Sequence, residues 1–274
     1  MSKTAHSFLI PPGIYSAAKY TIYLLLAVNI GIFLREEWQA AKHTNAGDVS
    51  LNILIEAFTQ TIDTAAWVLL LLLFELEIFV LSNHMLRGRR RWAMHSLRAV
   101  CYVFIVYAFY GYVLQCLDLY QITPLAATDP CSLLPAGASM LVGLNEFAAL
   151  DAANCSALAQ GAPLWQLAEQ PTLLISDQAT LDNARTLAWI DVVNAGNWLV
   201  IVLLLEIDVR LQLRGHFHGR VLKFSEGAKV FLYGLLLACA LYWGYAGTFL
   251  DFWDAFLWLL AFALIEMNLI EREV

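Results

Sequence analysis

Long apolar runs alternate with short polar ones along the chain. Six apolar runs lie near 15–35, 54–83, 93–119, 186–212, 227–248 and 251–270. Each is long enough to cross a hydrocarbon layer of about 30 Å, which takes roughly 20 helical residues. One polar segment, about 120–185, is far longer than the other connections; it carries Pro124, Pro130, Pro135, Pro163 and Pro171 and no Lys or Arg before Arg185. The pattern predicts an all-α integral membrane protein of six transmembrane helices with one extended loop. The first run begins behind Pro11 and Pro12 without a small-residue cleavage site after it, so it reads as a retained helix rather than a signal peptide. Inside the loop, residues 139–154 place apolar side chains at helical spacing. They predict a short helix in a cap packed on the helix ends.

The even-numbered runs repeat one another. DTAAWVLLLLLFELE from Asp63, NAGNWLVIVLLLEID from Asn194 and DAFLWLLAFALIEMN from Asp254 align without gaps. Asp63, Asn194 and Asp254 share a position, and Gln60, Asp191 and Asp251 stand three residues before it. Trp67, Trp198 and Trp258 follow four residues later, then Glu75, Glu206 and Glu266, then Glu77, Asp208 and Asn268. The odd runs repeat more weakly, with Lys19, Arg98 and Lys229 each four residues before a tyrosine and on the same helix face as it. Self-similarity of this kind predicts three tandem helical hairpins, about 14–86, 92–213 and 222–274, in one membrane domain. Parallel repeats pack around an axis along the membrane normal. The hairpins therefore form either a pseudo-threefold bundle or a linear row.

Charge orients the chain. Of the 16 Lys and Arg residues, 13 fall on one set of helix ends and three, Arg35, Lys42 and Arg185, on the other. The positive-inside rule then puts both termini in the cytoplasm and the long loop outside, in the manner of a bacterial inner-membrane protein. Cys131 and Cys155 share that loop and can form a disulfide there or stay as two thiols. Cys101, Cys116 and Cys239 lie in apolar runs and read as small core residues.

Acidic groups inside apolar runs are functional candidates by default. Glu75, Glu77, Glu206, Asp208 and Glu266, with Asn268, form the expected cation site or ion pathway, and Lys19, Arg98 and Lys229 are their expected charge partners. Twelve residues separate Asp63 from Glu75, about 18 Å of helix rise, so the two lie toward opposite faces of the membrane. Residues two apart on a helix point roughly 200° apart. Glu77 and Asp208 are therefore expected to escape the bases that pair with Glu75 and Glu206. Asp63, Asp191, Asn194, Asp251 and Asp254 read either as an outer mouth or as helix N-caps. The three tryptophans read as interface anchors, although equal placement in each hairpin also suits a constriction.

Composition narrows the classes. The chain has 274 residues, 60% of them hydrophobic, 14% charged, with a mean hydropathy of +0.64 and a formal net charge of −7. That excludes disorder, nucleic-acid binding and an ordinary soluble enzyme. No Walker A loop, GxGxxG, GxSxG, CxxC or HExxH motif is present, so neither a catalytic constellation nor a cofactor is called for. His84, His95, His216 and His218 offer a softer ligand set or a pH response, with the metal left unknown. The expectation is an ion-conducting or ion-coupled transport protein for cations or protons, in contact with the lipid bilayer. The alternative is a non-catalytic membrane scaffold or accessory subunit, as a homo-oligomer or with a membrane-protein partner; a membrane enzyme comes third.

Overall fold

The computed structural model describes residues 12–44, 57–77, 89–125, 129–158, 163–167, 173–214 and 218–273. Among them, six helices of 17 to 36 residues form the body of the molecule. They are α1 (Pro12–Thr44), α2 (Thr59–Glu75), α3 (Arg89–Asp118), α5 (Gln178–Leu213), α6 (Arg220–Ala246) and α7 (Phe249–Glu273). Each packs against the next in chain order, and α7 returns to α1, so the helices close into a ring. Neighbours run antiparallel: Lys19 near the start of α1 meets Glu75 at the end of α2, and Asn29 of α1 meets Asp254 early in α7. Four of the helices, over Gly13–Lys42, Trp92–Asp118, Gln178–Gln212 and Arg220–Ala246, are long and apolar enough to cross a membrane. This fits a helical integral membrane protein.

Local chemistry sets the helix starts. Pro12 opens α1, where its missing N–H costs nothing. Asp177 caps α5 by accepting from the Thr180 backbone N–H at 2.8 Å. Thr248 and Asp251 cap α7 reciprocally: the Asp251 N–H donates to Thr248 Oγ1 and the Thr248 hydroxyl donates to Asp251 Oδ2. The residue before α2, Phe58, has no acceptor on its side chain. Glu37 of α1 takes its place, accepting from the backbone N–H groups of Gln60 at 2.8 Å and Thr61 at 3.1 Å. One carboxylate thus satisfies two free donors of a neighbouring helix.

The long loop departs from the helical expectation. It folds as a five-stranded sheet of β1 (Ile122–Pro124), β2 (Ser139–Gly143), β3 (Glu146–Ala149), β4 (Leu164–Leu167) and β5 (Leu174–Asp177), in the order β1-β4-β5-β2-β3. Only β2 and β5 pair in parallel. The segment expected to be a short helix is the β2–β3 hairpin. Asn145 turns it with a positive φ of 60°, which asparagine tolerates better than most residues. Ser139 and Leu141 point inward while Met140 and Val142 are more open, the two-residue period of a half-buried strand.

β5 is covered on both faces. Leu174 packs with Cys116 of α3, with Leu119 just after that helix, and with Leu181, Ala184 and Ala188 of α5. Ile175, on the other face, packs with Ala138, Leu150, Cys155 and Leu158. A 3-10 helix at Pro130–Ala136 and the short α4 (Cys155–Leu158) complete the cap, joined by a Cys131–Cys155 disulfide. Cys101, Cys116 and Cys239 are buried and free.

Candidate functional site

At the capped end of the ring, acidic side chains from three helices line one cavity of about 70 Å³. Asp63 comes from α2, Asp191 from α5, and Asp251 and Asp254 from α7; Gln60 and Asn194 stand among them. These six residues are the three copies of two repeat positions. The sequence repeat therefore corresponds to convergence in space at this end of the molecule. Among the described residues the lining contains four carboxylates and no Lys, Arg or His.

Trp67, Trp198 and Trp258, one helical turn further on, form the floor. The Trp67 ring lies 5.9 Å from that of Trp198 and 6.4 Å from that of Trp258, and Phe262 lies 4.6 Å from Trp198. Trp198 and Trp258 are 9% and 6% exposed and Trp67 is half-buried against them, so the expected interface anchors pack inside the ring instead. Their repeat position faces the ring axis rather than lipid. Beyond them Leu26, Leu71, Ile201, Leu236, Leu257 and Ala261 pack a continuous apolar cluster. The cavity ends at the tryptophans.

Above the cavity lies a wider one of about 510 Å³, which shares Gln60, Asp191 and Asp251 with it. Glu36, Glu37 and Lys42 of α1 and the turn from Leu144 to Phe147 complete its wall. The two cavities form a funnel that narrows from the sheet to the tryptophans, and carboxylates line it throughout.

Neutral donors hold the acidic side chains. The Asn29 amide donates to Asp254 at 2.7 Å, and the Gln60 amide donates to Asp251 at 2.9 Å. The Trp243 indole donates to Asp191 at 3.1 Å, and the Tyr112 hydroxyl makes a long 3.4 Å contact with Asp63. The indoles of Trp67 and Trp258 also reach Asp63 and Asp254, four residues back on their own helices. Neutral donors orient a carboxylate without cancelling its charge. Of the N-cap candidates only Asp251 lies in the first turn of its helix, where its carboxylate accepts from the Thr248 hydroxyl; Asp63, Asp191, Asn194 and Asp254 lie beyond the first turns of theirs.

The opposite end corrects the expected charge pattern. Lys19 pairs with Glu75, which also accepts from the Tyr20 hydroxyl at 3.2 Å. Arg98 pairs with Glu77 rather than Glu206. Lys229 pairs with Asp208 at 2.8 Å, and Ser225 donates to the same carboxylate. Glu77 and Asp208, expected to escape the bases, are held by the helix that follows them in the ring. Facing opposite to Glu75 and Glu206 turns them toward α3 and α6, not into a central cavity. Glu206 is left to Arg210 one turn on, in an exposed pair at 2.8 Å. The third copy of the second acidic position is Asn268, which offers no carboxylate, and Lys19 is bound to Glu75 instead. The side chains of Glu266 and Asn268 lie outside the described residues, as do His84 and His216. Neither cavity is lined by Glu77 or Asp208.

Asn29, Glu37, Tyr112, Trp243 and Phe262 were not singled out in the sequence, yet all serve the funnel. Asn29 alone carried a signal, a lone amide in the run YLLLAVNIGIF. Among the described residues no group of three His, Cys, Asp or Glu side chains is arranged to hold a metal ion. No family model, curated protein or solved structure matches the chain.

Proposed function

We propose that the chain is a transport protein for cations or protons, with the acidic funnel as its outer mouth and the three tryptophans as its closed gate. In this reading six helices span the membrane as three tandem hairpins about a pseudo-threefold axis. Both termini are cytoplasmic, the sheet lies outside, and the membrane is a bacterial inner membrane. The observation that carries the reading is the set of four carboxylates, drawn from all three repeats, around a cavity whose described lining residues include no base. Buried acid without a cationic partner is costly, and a cation or a proton relieves that cost. The ring of negative charge also raises the local concentration of cations at the mouth.

The test is ion flux into liposomes containing the purified protein, with cation replacement and a pH series. Asp63→Asn with Asp254→Asn keeps side-chain size and removes two charges. The expected result is flux for the parent protein and at least about tenfold less for the double variant, the scale of one strong electrostatic contact. Parent flux that survives the double variant unchanged in rate and selectivity removes the site assignment.

The ion pairs at the opposite end favour a second reading, a membrane scaffold. Lys19–Glu75, Arg98–Glu77 and Lys229–Asp208 each tie neighbouring helices together and conduct nothing. Under it, the reconstituted parent protein shows no flux above empty liposomes.

A further inference from the structure

We propose that the cavity above the tryptophans binds a small organic ammonium ion, rather than a metal cation, as the transported species. This deepens the transport reading and rests on it for the role of the cavity. Three features of the walls lead there.

The first is their aromatic content. Trp67, Trp198, Trp258, Phe262, Tyr112 and Trp243 line the same space as the four carboxylates. Ring faces attract a cation through their quadrupole, and tryptophan does so best. The attraction favours a large, weakly hydrated cation that gives up its water cheaply. A carboxylate beside an aromatic wall is complementary to an ammonium group with short alkyl substituents: the charge meets the oxygens and the carbons meet the rings.

The second is the poor fit to a metal. Hard cations exchange their water for a close shell of several oxygens. Among the described residues no three His, Cys, Asp or Glu side chains form such a group. Asp63, Asp191, Asp251 and Asp254 are instead each tied to a different donor from a neighbouring element, Tyr112, Trp243, Gln60 and Asn29 respectively. Each contact engages a carboxylate oxygen that a close metal shell would need.

The third is size. The cavity measures about 70 Å³, where one water needs about 10–15 Å³. That admits an ion of a few heavy atoms and excludes a nucleotide or a peptide. The wider funnel above, about 510 Å³, provides an acidic approach from the sheet side.

The experiment titrates the purified full chain in detergent with tetramethylammonium and methylammonium chloride, against sodium and potassium chloride at matched ionic strength. Intrinsic tryptophan fluorescence and calorimetry are the readouts. A saturable signal is expected with the ammonium ions and not with the metals. Trp258→Leu should weaken binding about tenfold, and Trp258→Phe by less, because a phenyl ring keeps part of the cation–π attraction. Asp254→Asn should weaken it as well. An unchanged melting midpoint and elution volume identifies variants that still fold. An equal saturable response to sodium or potassium overturns the inference, as does no response to any ion, or Phe and Leu at Trp258 weakening binding equally in folded protein. Flux of metal cations or protons without ammonium binding overturns this inference and leaves the transport reading standing. Ammonium binding without flux of any ion supports the site and overturns transport.

Discussion

Single residues carry the two kinds of charge that this chain buries, and they behave oppositely. Lys19 is 4% exposed and its partner Glu75 is 7% exposed, so neither has water to fall back on. Lys19→Met should therefore leave an uncompensated carboxylate and cost about 3–5 kcal/mol, the range for breaking a buried pair. A fall in the thermal midpoint of the detergent-solubilised protein checks this. Arg210→Gln breaks a pair that is largely exposed on both sides, and its effect should stay under about 1 kcal/mol. An equal loss from both variants would show that burial is not what separates them. The four carboxylates of the inner cavity have no base among its described lining residues, so their removal should change ion handling more than stability. Much of this was legible in the residues, since the repeat positions that line the cavity are those at which the three aligned segments of the sequence match. The pairing scheme was not legible. A spacing of two says that Glu75 and Glu77 face apart, but not which helix each one meets.

At the scale of elements, close approach and cross-links set the limits. A Cβ built on Gly111 of α3 would sit 2.5 Å from Thr59 Oγ1 at the start of α2, where Thr59 is fully buried. Gly111→Leu should force the two helices apart and cost about 1–3 kcal/mol, as overpacking does. A lower melting midpoint, with Gly111→Ala milder, is the expected series. The Cys131–Cys155 disulfide closes a separation of 24 residues in the sheet cap. Cys131→Ser with Cys155→Ser should release about 3 kcal/mol of cap stability, read as faster proteolysis of the cap while the helices resist. Helix existence was legible from apolar runs alone. The sheet was not: residues 139–149 read as part of a short helix from their helical spacing, and so short an apolar run does not separate the two periods. The parallel pairing of β2 with β5 joins segments more than thirty residues apart, a contact that no local pattern records.

At the scale of the whole molecule, topology is the first thing to measure. Fluorescent-protein fusions at both termini should fluoresce, as they do in the cytoplasm, and an impermeant thiol reagent should reach Cys131 from outside after mild reduction. Labelling of Cys131 only from the cytoplasmic side would reverse the orientation and with it the direction of the funnel. The ring closes through α1 and α7, where Tyr15 donates to the Leu264 carbonyl at 2.6 Å and Asn29 to Asp254. That closure has a consequence for synthesis on the ribosome. Helix α1 waits for α7: until α7 emerges, Asn29 lacks its carboxylate, the funnel lacks Asp251 and Asp254, and the floor lacks Trp258. A chain stalled before α7 would hold Asp63 and Asp191 without the other two carboxylates of the cavity. The site is therefore complete only once α7 has joined α1 in the ring.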